Sequence, residues 1–166
     1  MKQFLTPLAL LGLVLSPVAL AQDAEMSEAE TIAREYMAAY SAVDFERMAS
    51  FMAEDMTFSD ETATGTDNPD GIQAEGRDAA LAMLNGFAEQ YNPIELGFVW
   101  DTVFESNHRV VFMGHVNALY PTEDPNQVFR WRAPQTAVVT VLNGQVVRHQ
   151  DFANYTGAEQ GLVPAQ

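Results

Sequence analysis

The chain has no cysteine and a single lysine, Lys2. Without cysteine there is no disulfide and no thiolate nucleophile, so burial alone must stabilise the fold. Scarcity of basic residues leaves 8 Lys and Arg against 23 Asp and Glu, a formal charge of −15. A surface of that sign repels nucleic acid and anionic membranes, so neither a nucleic-acid partner nor a membrane anchor is expected. Also missing are a phosphate-cradling glycine loop, a Gly-x-Ser-x-Gly elbow and a His-Glu-x-x-His metal motif. Nucleotide chemistry, triad hydrolysis and a motif-defined metal site therefore have no support. Internal repeats, heptads and low-complexity tracts are absent too.

The apolar stretch Phe4–Leu15 is too short for a membrane span. It follows Lys2, is broken by Ser16-Pro17, and leads to Ala19-Leu20-Ala21, a small-x-small cleavage site. Residues 1–21 are thus expected to be a cleaved signal peptide, and 22–26 a short acidic lead. No cysteine follows the cleavage site, which excludes a lipoprotein anchor. The expected product is exported, periplasmic or secreted. Lysine-free acidity suits a salty surrounding where charges are screened.

Ser27-Glu28-Ala29-Glu30 reads as a capping box: Ser27 caps the Glu30 amide and the Glu30 side chain reaches back. The helix it opens carries Ile32, Tyr36 and Tyr40 on one stripe. Asp44 caps a second, shorter helix. Met56–Asp60 alternates as a strand and ends on an acid, and Glu61–Glu75 reads as a loop. Arg77-Asp78 begins a third helix, which Asn92-Pro93 ends. From Ile94 on, the pattern is strand. Phe98, Trp100 and Phe104 are expected inward, and a bulge or bend is expected at Pro134.

The final hairpin is the most informative stretch. Asn143-Gly144 suits the two positive φ positions of a type I′ turn. In the strand after it, period 2 puts Val147, His149, Asp151 and Tyr155 on one face, and Val146, Arg148, Gln150 and Phe152 on the other. An imidazole, a carboxylate and a phenol in one row call for more than packing. Helices followed by long antiparallel strands give an α+β fold. Its outer sheet face keeps apolar residues and is expected to form a homodimer.

Three stretches carry a family resemblance: Tyr36–Asp44 continuing through Phe51–Asp60, Glu75–Ala80, and Gly144–Asp151 with its His-x-Asp. Together they resemble the nuclear transport factor 2-like superfamily, and within it the SnoaL-like polyketide cyclases and ketosteroid isomerases. The resemblance runs from about Ser27 to Tyr155. It implies one SnoaL-like domain over residues 27–156 with 157–166 as a tail. The implied fold is a cone-shaped barrel: a strongly curved antiparallel sheet covered by three N-terminal helices.

It also implies site residues. Tyr36 falls where the isomerases keep an oxyanion-hole tyrosine, and Asp60 where they keep the proton-moving carboxylate. Their second oxyanion acid has no counterpart, and Gln135 or Thr136 stands near that position. His149 and Asp151 match the cyclase pair. The expected catalytic set is Asp60, His149, Asp151 and Tyr36. Tyr40, Phe58, Phe98, Trp100 and His115 are expected to line an apolar ligand pocket. No organic cofactor and no metal are implied, although His115 with Asp60 and His149 offers a metal-capable donor set. The expected ligand is a small hydrophobic molecule. Two functions remain open: a general acid/base enzyme, or a non-catalytic ligand-binding or dimerisation module of the same fold.

Overall fold

The computed structural model describes residues 26–63 and 71–165; the expected leader and most of the acidic lead lie outside them. Helix α1 spans Glu28–Ser41 and α2 Phe45–Ala49. Strand β1 (Met52–Asp60) pairs with β2 (Ile72–Glu75), and α3 (Arg77–Tyr91) follows. Then come β3 (Val99–Ser106), β4 (Arg109–Pro121), β5 (Gln127–Leu142) and β6 (Gln145–Ala153). A 3-10 turn at Tyr155–Gly157 leads into β7 (Glu159–Pro164).

The helix starts are explained by their caps. Ser27 Oγ accepts from the Glu30 amide at 3.0 Å, and Asp44 Oδ1 accepts from the Arg47 amide at 3.0 Å. Only half of the expected capping box forms. The Glu30 carboxylate accepts from Arg34 one turn on, not from the Ser27 amide. Asn92, at φ 47°, closes α3 in the left-handed conformation.

The strands form one mixed sheet in the order β2-β1-β6-β5-β4-β3, with β7 beside the first half of β5. Two expectations are corrected here. The sheet is not wholly antiparallel, because β1 runs parallel to β6, and it does not close into a barrel. Alternation in a sequence speaks to the face a residue takes within an unbroken strand and says nothing of which strand lies beside it. The residues expected to be a tail instead supply β7, antiparallel to β5 over Gln127–Arg132.

Two bulges explain where period 2 failed. Between Trp100 and Thr102 the β3·β4 register slips. Parity reverses there, so Phe104 is 46% exposed instead of inward. Gly114 sits opposite, and a Cβ on it would lie 2.0 Å from the Val99 carbonyl oxygen. The second slip, between Thr140 and Val141, leaves Val147 as the extra residue of β6. Val146, expected outside, is therefore fully buried, while His149 and Asp151 keep the inner face. No slip occurs at Pro134, which pairs in register with His115. Its carbonyl accepts from the Asn154 amide, on the side where β5 changes partner from β7 to β6. The missing N–H points into that gap and costs no ladder bond.

The inner sheet face carries Met52, Met56, Val110, Phe112, Ala137, Val139 and Val146. Helix α1 covers it with Ala33, Tyr36 and Met37, and α3 adds Ala80 and Leu84. Each large buried side chain contributes about 1.5–3 kcal/mol. His149, Asp151 and Gln135 are the buried polar exceptions.

Candidate functional site

The polar exceptions form one chain of contacts. Tyr36, from α1, places its hydroxyl 2.8 Å from His149 Nδ1. His149 Nε2 lies 3.0 Å from Asp151 Oδ1, and Gln135 Nε2 donates to that same oxygen at 2.8 Å. The imidazole contact is short but poorly aligned, so Nε2 is left without a proper hydrogen-bond partner. A hydrogen bond weakens steeply off axis, however short it is. An N–H at Nε2 facing the carboxylate makes Nδ1 the acceptor, with Tyr36 O–H donating to it.

The local fold sets each position. His149 and Asp151 are two apart on β6 and face inward, across from Val139 and Ala137. Gln135 lies on the inner row of β5 between Ala133 and Ala137. Phe58 of β1 is the register partner of His149, and their ring centroids are 4.5 Å apart. Tyr40 stands edge-on to both His149 and Phe58, at 5.4 and 6.0 Å.

Asp60, at the end of β1, is the register partner of Asp151. Both of its oxygens are engaged. Oδ2 accepts from Tyr155 O–H at 2.6 Å, and Oδ1 from the Thr62 amide and hydroxyl at 3.2 and 2.9 Å. Thr62 Oγ1 in turn accepts from the Ala153 amide at 2.7 Å. Tyr155 packs its ring on Trp131, with centroids 5.5 Å apart.

Burial and charge act on the phenols together. Desolvation, and then the Asp151 carboxylate, holds Tyr36 well above the ordinary phenol range. Tyr40 is raised by desolvation and by the fields of Asp151, Tyr36, Asp60 and Tyr155. Tyr155 is pushed up by burial, then by its bond to Asp60 and that carboxylate's charge. All three phenols stay neutral at any physiological pH.

Of the expected set, the fold brings Tyr36, Asp60, His149 and Asp151 to one interior, with Tyr40 and Phe58 around them. Phe98 touches the Tyr40 ring, with centroids 5.1 Å apart, but with Trp100 it lines a groove of about 330 Å³ against the other flank of α1, with Phe112 at its floor. That cavity does not reach His149 or Asp60, so cavity volume and polar chemistry are separated here. His115 is on the outer sheet face, in a depression of about 250 Å³ with Arg132, Pro134 and Glu159. The metal-capable donors His115, Asp60 and His149 are not brought together. Among the described residues no group of three or more His, Asp or Glu is placed to hold a metal ion. Tyr155 and Thr62 were missed as partners of Asp60. For Gln135 a signal existed, since it is the one polar residue in the odd-numbered row Ala133–Val141.

Mixed-sheet topology, helices on the inner face and a tyrosine–histidine–aspartate interior together define a nuclear transport factor 2-like fold. The SnoaL-like domain model matches residues 33–149, and the chain belongs to that family. Solved structures agree on the fold. The Δ5-3-ketosteroid isomerase of Mycobacterium sp. superposes with TM-score 0.65 at 16% identity, covering 82% of this chain and 100% of the other. A SnoaL-like polyketide cyclase candidate from Shewanella putrefaciens CN-32 gives 0.64 at 20%, covering 80% and 93%. A computationally designed 17-OHP binder gives 0.65 at 17%, covering 82% and 100%. No curated protein matches the chain.

Proposed function

We propose that the protein is an exported acid/base enzyme, independent of any organic cofactor, that acts on a small apolar molecule bearing a carbonyl or enol oxygen. The observation that supports this reading is the fully buried Tyr36–His149 bond backed by Asp151. A buried imidazole next to a carboxylate is costly to maintain, and proton transfer is the use to which such a pair is suited. In the neutral form Tyr36 spends its proton on Nδ1. When His149 takes a second proton, Nδ1 becomes the donor and the Tyr36 O–H is released towards a ligand oxygen. Asp151 then pairs with the imidazolium, and Gln135 holds that carboxylate in place. Asp60 is the proposed base. Its Tyr155 and Thr62 partners keep it directed, and a ligand must displace at least one of them. Phe58 and Tyr40 limit water around the exchange.

Turnover would be sought with small cyclic ketones and their enol tautomers, following proton exchange next to the carbonyl. General acid/base assistance is worth about 10²–10⁴-fold. Asp60→Asn and His149→Ala should each lose activity on that scale and keep the fold. Near-parental rates in both variants would remove the mechanism.

A second reading has its own support. The designed binder on this fold is a ligand-holding protein, and the polar interior described above is closed. A non-catalytic binding module would use the same apolar interior with the relay as a fixed scaffold. On the outer face, Phe104, Met113 and Val99 are 45–47% exposed, which suits a homodimer in either reading. Bound small molecule without any proton exchange, in the same assay, would favour the module.

A further inference from the structure

We propose that the groove between α1 and β3 is a second site, separate from the relay, for a small zwitterion with an apolar body, of the α-amino-acid kind. Its volume of about 330 Å³ falls at the lower end of small-molecule sites, about 300–1,000 Å³. The helix side is kept open by Ala38 and Ala42, one turn apart. The strand side is a wall of two parallel rings, Phe98 and Trp100, with centroids 5.3 Å apart and planes within 8°.

Both walls are fixed before any ligand arrives. Ser41, near the end of α1, accepts from the Phe98 amide through its hydroxyl at 2.9 Å, and its carbonyl takes the Leu96 amide at 2.8 Å. A preformed groove spares the ordering cost of binding.

The groove's two charges decide the ligand. Arg34 directs Nε and Nη2 at one oxygen of Glu30, at 2.8 and 2.7 Å. Its Nη1 edge makes no hydrogen bond among the described residues. Glu95 is half-buried, and its carboxylate has neither an ion pair nor a hydrogen-bond partner among them. One guanidinium edge and one unpaired carboxylate around an apolar wall match a carboxylate and an ammonium on one molecule. A simple anion would face Glu95, and a simple cation would leave Arg34 unused.

Trp100 is one of two tryptophans, so Trp131→Phe makes it the sole reporter. In that background L-phenylalanine, 3-phenylpropanoate and phenylalanine amide would each be titrated against Trp100 fluorescence. L-phenylalanine should bind about tenfold tighter than either half-charged analogue, the worth of one charge-assisted hydrogen bond. Glu95→Gln should erase its advantage over 3-phenylpropanoate, and Arg34→Gln its advantage over the amide. Ala38→Phe, at an exposed helix position, should fill the groove and abolish all three signals with Tm unchanged. Equal affinities for the three probes, indifference to Ala38→Phe, or no saturable binding in the millimolar range would each overturn the proposal.

Discussion

Asp60 and Asp151 face each other as register partners across the parallel pair β1·β6, two carboxylates on one inner sheet face. Like charges placed directly opposite on a sheet destabilise it. The fold tolerates them because each has its own partners: Tyr155 and Thr62 donate to Asp60, while Gln135 donates to Asp151 and the His149 ring lies 3.0 Å from it. The pair is thus split into an outer half at the strand end and an inner half behind the imidazole.

That split predicts unequal costs for neutralising the two acids. Asp151→Asn takes the carboxylate away from a fully buried imidazole and should lose about 1–3 kcal/mol. Asp60→Asn relieves the repulsion at a half-buried position but exchanges one acceptor oxygen for an amide, and should cost less, about 0.5–1.5 kcal/mol. Urea unfolding of both variants reads the difference; the reverse ranking would contradict the assignment of donors.

Tyr36→Phe deletes the hydroxyl that meets His149 Nδ1 at 2.8 Å. Nothing else in the interior pairs with that nitrogen, so a loss of about 1–3 kcal/mol is expected. Tyr40→Phe serves as a comparison, because the Tyr40 hydroxyl makes no hydrogen bond among the described residues. If the two variants melt alike, the Tyr36–His149 bond contributes nothing.

Stability should fall on the alkaline side. Tyr36, Tyr40 and Tyr155 are all raised above the unfolded phenol value of about 10. Above that pH the unfolded chain gives up phenolic protons that the folded chain retains, so each further rise favours unfolding. Their stabilisation is complete below about pH 10 and disappears as pH climbs towards the folded values. Tm measured from pH 8 to 11, with tyrosinate absorbance in parallel, tests this. Ionisation of these tyrosines ahead of unfolding would refute it.

Gly114→Ala places a methyl 2.0 Å from the Val99 carbonyl oxygen, against backbone that a bulge already constrains. Overpacking of this kind costs about 1–3 kcal/mol. Gly86→Ala is the control: a Cβ there meets nothing within 4 Å and should be neutral or stabilising. Equal thermal stability of the two variants would show that β3 can move away from β4 without cost.

Met113→Asp addresses assembly. Met113 is 45% exposed on the outer sheet face, next to Thr102 in register. If that face joins two copies, a buried charge there should convert a dimer to a monomer in light scattering. A parental dimer that survives the change places the interface elsewhere.

Much of the site was legible because it depends on local period. His149 and Asp151 are two apart on one strand, Tyr36 and Tyr40 four apart on one helix, and those spacings alone assign faces. The Ser27 and Asp44 caps and the Asn143-Gly144 turn were legible for the same reason: the chemistry that selects them acts within a few residues. Partner choice was not. Phe58 with His149, and Asp60 with Tyr155, are contacts across about ninety residues of chain, and no spacing encodes them.

The sequence by itself determined the α+β class, the helix starts, the last hairpin and the inward row of His149 and Asp151. Tertiary structure decided that β1 enters parallel to β6, which places Asp60 beside Asp151. It decided the two bulges that turn Phe104 outward and Val146 inward, and it sent His115 to the outer face. The physical reason is that period and capping are local energies, each fixed by a few neighbouring residues. Strand neighbours, bulges and the closure of the interior are settled only when all elements compete to bury one shared core.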